Sequence, residues 1–185
     1  MSALVAAASV AVRTAVAEAV RRTEKFDIVT APSPEAALKI AASRHFDLAV
    51  LEVKSGEWFK AASELSASFE CGVIVVAKQL QDDLRAVFEN RGVAVIERPI
   101  SEKELTVAVR TVYAANVRIA GLRHANIDLS RRIEDMRLVG RAKLVLMETL
   151  GYTEAQAHRY IEKKAMDTRV SVRSVASDIL RTYEN

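Results

Sequence analysis

Arg141, Lys143, Arg159, Lys163, Lys164, Arg169 and Arg173 crowd into one short stretch near the C-terminus, with Tyr152, His158 and Tyr160 among them. Guanidinium and ammonium groups hold phosphate oxygens, and flat rings stack on unpaired bases. The chemistry this set offers is the binding of a polyanion with accessible bases. Each cation taken singly also fits a solvated helix face, and each ring a core or surface role. Lys143 stands apart, because helical spacing sets its stem beside Ala142, Leu146 and Leu150 while its ammonium reaches outward.

Reactive chemistry is missing from the same inventory. The sequence has no nucleophile–base pairing and no glycine loop to cradle phosphate. His45, His124 and His158 are far apart and lack metal-ligand spacing. Cys71 is the only cysteine, which rules out an intramolecular disulfide and a cysteine-rich zinc site; it reads as a small buried hydrophobe. The expectation is a protein that is not an enzyme and needs no cofactor or metal.

The elements that must position the cations come in two kinds. Half of the 185 residues are apolar, enough for a core built mainly from Ala, Val, Leu and Ile. Over residues 1–112 the chain alternates short apolar runs (3–8, 26–30, 47–53, 73–77 and 93–97) with helical patterns such as Val12, Val16, Ala19 and Val20. Continuous Val/Leu/Ile strands separated by helices predict a parallel sheet covered on both faces, an α/β flavodoxin-like fold of five strands.

From residue 101 to 140 there is no proline and only one internal glycine, Gly121. Leu105, Val109, Val112, Asn116 and Ile119, then Leu122, Asn126, Leu129, Ile133 and Met136, recur at three- and four-residue steps with one slip. This predicts a coiled-coil helix whose 105–136 stretch pairs two copies in parallel, with the asparagines fixing register. Residues 113–131 form the linker, continuing the last helix of the first domain, and residues 132–185 a second, all-α domain of three short helices. In that domain Gly151 suits a helix C-cap and Thr153 with Gln156 a capping box. Ser171 suits an N-cap. Ala157, Ile161 and Ala165 line one face, opposite Arg159 and Lys163. Val172, Val175, Ala176, Ile179 and Tyr183 form a buried stripe.

Charge follows the same division. Residues 1–112 hold 14 basic and 15 acidic side chains, and residues 113–185 hold 13 and 9. No run approaches the ~20 apolar residues of a membrane span, and the apolar opening before Arg13 lacks the basic residues of a signal peptide. A cytoplasmic protein with no membrane partner is expected.

Two resemblances sharpen these expectations. Arg141-Ala142-Lys143, Leu146-Met147, Gly151-Tyr152-Thr153, Glu154-Ala155-Gln156-Ala157, Lys163-Lys164-Ala165-Met166-Asp167 and Val175-Ala176 resemble, in order and spacing, the ANTAR domain. This is a small helical RNA-binding module of bacterial transcription antiterminators. The resemblance implies that Arg141, Lys143, His158, Arg159, Lys163, Lys164, Arg169 and Arg173 form an RNA-binding set, with His158 where the family often carries an aromatic residue. It also implies a stalk that pairs two copies.

The first domain is similar to the receiver domain of bacterial response regulators. Residues 46–51 match its third strand, and Arg98-Pro99-Ile100 with Glu104-Leu105 its Lys-Pro motif and fifth helix. By that likeness Ala7 and Ala8 replace the acidic pair that holds magnesium, Glu52 the phosphoacceptor aspartate, Ala77 the switch hydroxyl and Arg98 the lysine. Methyl groups supply no oxygen ligands for a hard cation. A pseudo-receiver that accepts no phosphate is implied. Glu52 is then either a mimic of phosphoaspartate or an acid tolerated beside Arg98.

The function expected is an RNA-binding antiterminator that grips hairpins in a leader transcript as a dimer, under a regulatory sensor protein or ligand. The alternatives are a DNA-binding response regulator and a protein-interaction adaptor controlled through the pseudo-receiver.

Overall fold

Strands built from Val, Leu, Ile and Ala demand cover on both faces, and the first part of the chain supplies it. The computed structural model describes residues 1–183 and contains two compact units, Met1–Gly121 and a second from Leu122 onward. Glu184 and Asn185, the end of the expected C-terminal domain, lie outside the described residues.

The first unit runs β1 (Ser2–Ala6), α1 (Val10–Thr23), β2 (Asp27–Ala31), α2 (Pro34–Ser43), β3 (Leu48–Val53), α3 (Gly56–Ser68), β4 (Gly72–Ala77), α4 (Asp82–Glu89) and β5 (Ala94–Glu97). All strand pairs are parallel, in the order β2-β1-β3-β4-β5. This is the expected flavodoxin-like, doubly wound arrangement. The first strand stops at Ala6, two residues short of its expected end, and Ser9 then caps α1 by accepting from the Val12 N–H. Leu4, Leu51, Val73 and Val75 face α2 and α3, where Trp58 and Leu65 are buried. Val5, Val50, Ile74 and Val76 face α1 and the start of the helix that follows β5, against Val16, Val20, Leu105 and Val109.

Helix α5 (Glu102–Leu150) is 49 residues long. Ser101 opens it: its hydroxyl accepts from the Glu104 N–H, and the Glu104 carboxylate accepts from the Ser101 N–H and hydroxyl. The first turns belong to the first unit. Leu105 and Val109 are buried there, Tyr113 meets Phe26 edge-on at 5.5 Å, and Asn116 donates to the Asp47 carbonyl at 3.1 Å. Gly72 lets the helix approach: a Cβ there would lie 2.6 Å from Val112 Cγ1.

These contacts correct the expected seam. Its 105–116 stretch is spent on the chain's own sheet, and Asn116 does not serve a partner helix. The same three- and four-residue spacing describes both uses.

The second unit packs α6 (Glu154–Thr168) and α7 (Val172–Tyr183) on the later turns of α5, around Ala142, Leu146, Ala157, Ile161, Ala165, Val175, Ala176, Ile179 and Leu180. The first of the three helices is therefore not short. It is the end of α5, because a lone Gly140 costs about 1 kcal/mol and does not break a helix. Gly151, at φ 65°, terminates it, and the Thr153–Gln156 capping box opens α6 with both bonds formed. Ser171 caps α7 by accepting from the Ser174 N–H. In α7 the buried stripe is Val175, Ala176, Ile179 and Leu180, while Val172 and Tyr183 are exposed. Those two lie in the terminal turns, and Leu180 closes the stripe instead. Among the described residues no helix is long and apolar enough to cross a membrane.

Candidate nucleic-acid interface

Once α6 buries Ala157, Ile161 and Ala165, its remaining circumference is fixed. Arg159 and Lys163, one turn apart, stand on the opposite side, and both are exposed, as is Met166 one turn further on. Lys164 lies on the flank, its ammonium 5.8 Å from the centre of the Tyr160 ring. Tyr160 meets Tyr152 edge-on at 5.9 Å, and both rings pack against the core of this unit. They are braced platforms, with part of each ring covered. Exposed His158 lies 3.3 Å from Glu162, one turn along α6.

Arg169 is exposed at the C-cap of α6, at φ 56° and ψ 35°, the left-handed conformation that side chains other than glycine seldom adopt. Its N–H closes the helix on the Ala165 and Met166 carbonyls. Arg141 is exposed on α5.

Lys143 and Arg173, among the expected RNA-binding cations, have carboxylate partners. Lys143 Nζ donates to Glu154 Oε1 at 2.7 Å, joining α5 to the first turn of α6. Arg173 pairs with Asp135, joining α7 to α5. The hydrogen bond from Lys143, then its charge, holds the Glu154 carboxyl below its ordinary value of 4.5. The bond to Asp135 raises the Arg173 guanidinium above its ordinary value. Sequence reasoning missed Glu154 and Asp135, because separations of 11 and 38 residues leave no periodic signal. Arg159, Lys163 and Lys164 share α6. Lys143 and Arg173 instead fasten helices to one another.

The five positions expected to replace receiver site residues gather at the C-terminal ends of the strands, where ligands of this fold bind. Ala7 is buried and Ala8 exposed just beyond β1, and neither side chain offers an oxygen to a cation. Glu52, 3% exposed, is ion-paired with Arg98 and lies 3.3 Å from Lys54 Nζ. Ala77 ends β4, and its carbonyl accepts from the Arg98 N–H at 2.9 Å. The Arg98–Pro99 peptide is cis. Arg13 also reaches this end of the sheet, donating to the Ala7 carbonyl at 2.5 Å. The arrangement is a buried carboxylate held between two cations. Lys54 and Arg13 are additions that the strand pattern did not reveal.

Along α5, Ile119, Leu122, Leu129, Ile133 and Met136 are between 46 and 74% exposed. Apolar side chains left in water at coiled-coil spacing form a face suited to another helix.

Comparison with known proteins bears on both units. Residues 128–180 match the family model described as the ANTAR domain. Over 165 residues the chain is 30% identical to the transcriptional regulatory protein PdtaR of Mycobacterium tuberculosis, covering 87% of this chain and 80% of that protein. It is 26% identical over 86 residues to the aliphatic amidase regulator of Pseudomonas aeruginosa, which spans 46% of this chain and 44% of the other. Among solved structures, a response regulator receiver domain protein from Clostridium thermocellum superposes with a TM-score of 0.56 at 15% identity, over 64% of this chain and 98% of that one. A CheY-like receiver domain protein from Methanospirillum hungatei gives 0.57 at 15% identity, over 63% and 96%. These two likenesses concern the fold alone.

Proposed function

Because the chain belongs to the family of ANTAR-domain response regulators that includes PdtaR, we propose that it is a transcription antiterminator. It binds hairpins in nascent leader RNA through its C-terminal helices and acts as a dimer. The observation that carries this reading is the exposed Arg159–Lys163 face of α6, inside the segment that matches the ANTAR domain. Lys164 and Arg169 extend the cationic surface, and Tyr152, His158 and Tyr160 supply rings for bases. Lys143 and Arg173 serve RNA only after releasing Glu154 and Asp135, so their first role is to hold the module together. Dimerisation through the exposed part of the α5 seam lets two modules grip two hairpins, the linkage raising effective concentration.

The first domain acts as a receiver that takes no phosphate. Phosphoryl transfer depends on positioning and charge neutralisation, and the carboxylate of Glu52 is already neutralised by Arg98 and Lys54. Control then comes from a partner protein or ligand. Incubation with acetyl phosphate and magnesium leaves the chain unlabelled on this reading, and label at Glu52 would overturn it.

Crosslinking and sequencing of RNA held by the protein in its native cell tests the main claim, beside an Arg159→Glu/Lys163→Glu control. The expected reads pile up on paired hairpins upstream of terminators and vanish in the control. An absence of enrichment over the control would sink the RNA reading.

A further inference from the structure

Leu122, Asn126, Leu129, Ile133 and Met136 follow one another along α5 in steps of four, three, four and three. With Leu122 at position d of a heptad, Asn126 and Ile133 fall at a, and Leu129 and Met136 at d. A β-branched residue at a, leucine at d and a single asparagine at a select two parallel strands in register.

The positions flanking this seam have the wrong charges for such a pair. Arg137 stands at e and Arg132 at g, both exposed, while Ala125 and Ser130 fill other flanking positions and Arg123, at e, already has a partner of its own. The acids Asp128, Glu134 and Asp135 stand at b and c, turned away, and Asp135 is engaged by Arg173. In a parallel pair the g residue of one copy lies beside the next e residue of the other. Arg132 thus lies beside the partner's Arg137 on one edge, and the same contact repeats on the other edge. A second copy satisfies the apolar seam and Asn126 but sets two arginines side by side on each border.

A phosphodiester backbone is the complement of such a pair. It is a regular anion whose condensed counterions arginine displaces, and guanidinium takes phosphate oxygens two at a time. We propose that the paired stalks carry a second RNA-phosphate site, two arginine pairs completed only when two copies meet. This rests on the RNA-binding dimer argued above and adds a coupling to it. RNA relieves the repulsion that keeps the bare dimer weak, so pairing and RNA binding each strengthen the other.

The test uses the full-length chain in sedimentation equilibrium, with and without a pool of two-hairpin RNAs carrying randomised loops. At about 50 mM salt, where charges are poorly screened, the Arg132→Gln/Arg137→Gln variant is expected to dimerise several-fold more tightly than the wild type without RNA. Adding the pool should tighten the wild-type dimer several-fold and the variant's little. In RNA binding, the slope of log affinity against log salt should shrink by roughly 3, about 0.7 for each of the arginines lost from the dimer. Arg131→Gln, at the outward f position, should change neither.

A variant dimer no tighter than wild type overturns the proposal. So does a tighter dimer with an unchanged RNA slope, which would assign the arginine pairs to an acidic helix of another protein. If Arg159→Glu/Lys163→Glu abolishes RNA binding while the stalk variant leaves it untouched, the stalk site fails and the main RNA reading stands. A wild-type chain that binds none of the pool overturns both.

Discussion

Glu52 shows how one substitution redirects a site. Its carboxylate is buried, and Arg98 and Lys54 neutralise it. Removing one partner of a buried pair leaves an uncompensated charge. Arg98→Ala should therefore cost about 2 kcal/mol in urea unfolding, less than a wholly buried pair because Arg98 is a third exposed. The ion pair between Glu52 and Arg98 was one of two readings open in the sequence; the contribution of Lys54 was not visible there. Burial pushes the Cys71 thiol up to about 11 from its ordinary 9.0. A raised value stabilises the fold below pH 9, and that contribution is lost as pH climbs from 9 towards 11. Labelling of Cys71 with iodoacetamide should be slow at pH 8, accelerate about tenfold per pH unit above it, and become fast in denaturant. Arg169 pays for its left-handed cap with about 1 kcal/mol of strain. Arg169→Gly should match or exceed the wild type in thermal unfolding while weakening RNA binding, a combination that a purely structural arginine would not give.

At the scale of elements, the start of α6 rests on small contacts that can be removed one at a time. Thr153→Ala deletes a capping-box bond and should cost about 1 kcal/mol of stability. Acid acts at the same place. The Glu154 carboxyl titrates lower folded than unfolded, so its contribution is present above the ordinary 4.5 and disappears as pH falls below it. Lys143→Met should remove that acid sensitivity, which a pH series of thermal melts will reveal. At Gly72 the effect is steric: Gly72→Ala drives a methyl group into Val112 and should destabilise the first unit by about 1–3 kcal/mol. Strands and caps were legible in the sequence because their signals are local, a run of Val and Ile or a Thr three residues before a Gln. The seam of α5 was legible only in part. Leu105 and Val109 have the spacing of Leu129 and Ile133, and nothing local says that the first pair meets the chain's own sheet. Nor does spacing reveal that Lys143 and Arg173 are already engaged by acids.

For the molecule as a whole, the two units keep separate cores. Leu146→Ala opens a cavity in the second and should lower its stability by about 2–5 kcal/mol. Hydrogen exchange should then show faster exchange in α6 and α7 and unchanged protection in β1, β3 and β4. The fold class, a parallel sheet followed by helices, was legible from the change of hydrophobic period, two kinds of pattern in one chain. Ownership along α5 is divided in the same way. Residues up to Asn116 serve the first core, and from Asp135 onward side chains engage the second unit, through Arg173 and then the core around Ala142. Between them, residues 117–134 belong to neither core. That interval is where genetic recombination can cut and rejoin such a chain without damage to either fold, and insertions of seven residues keep the seam in phase. A new first unit spliced there inherits an intact second one, and a lineage can exchange one fold while keeping the other.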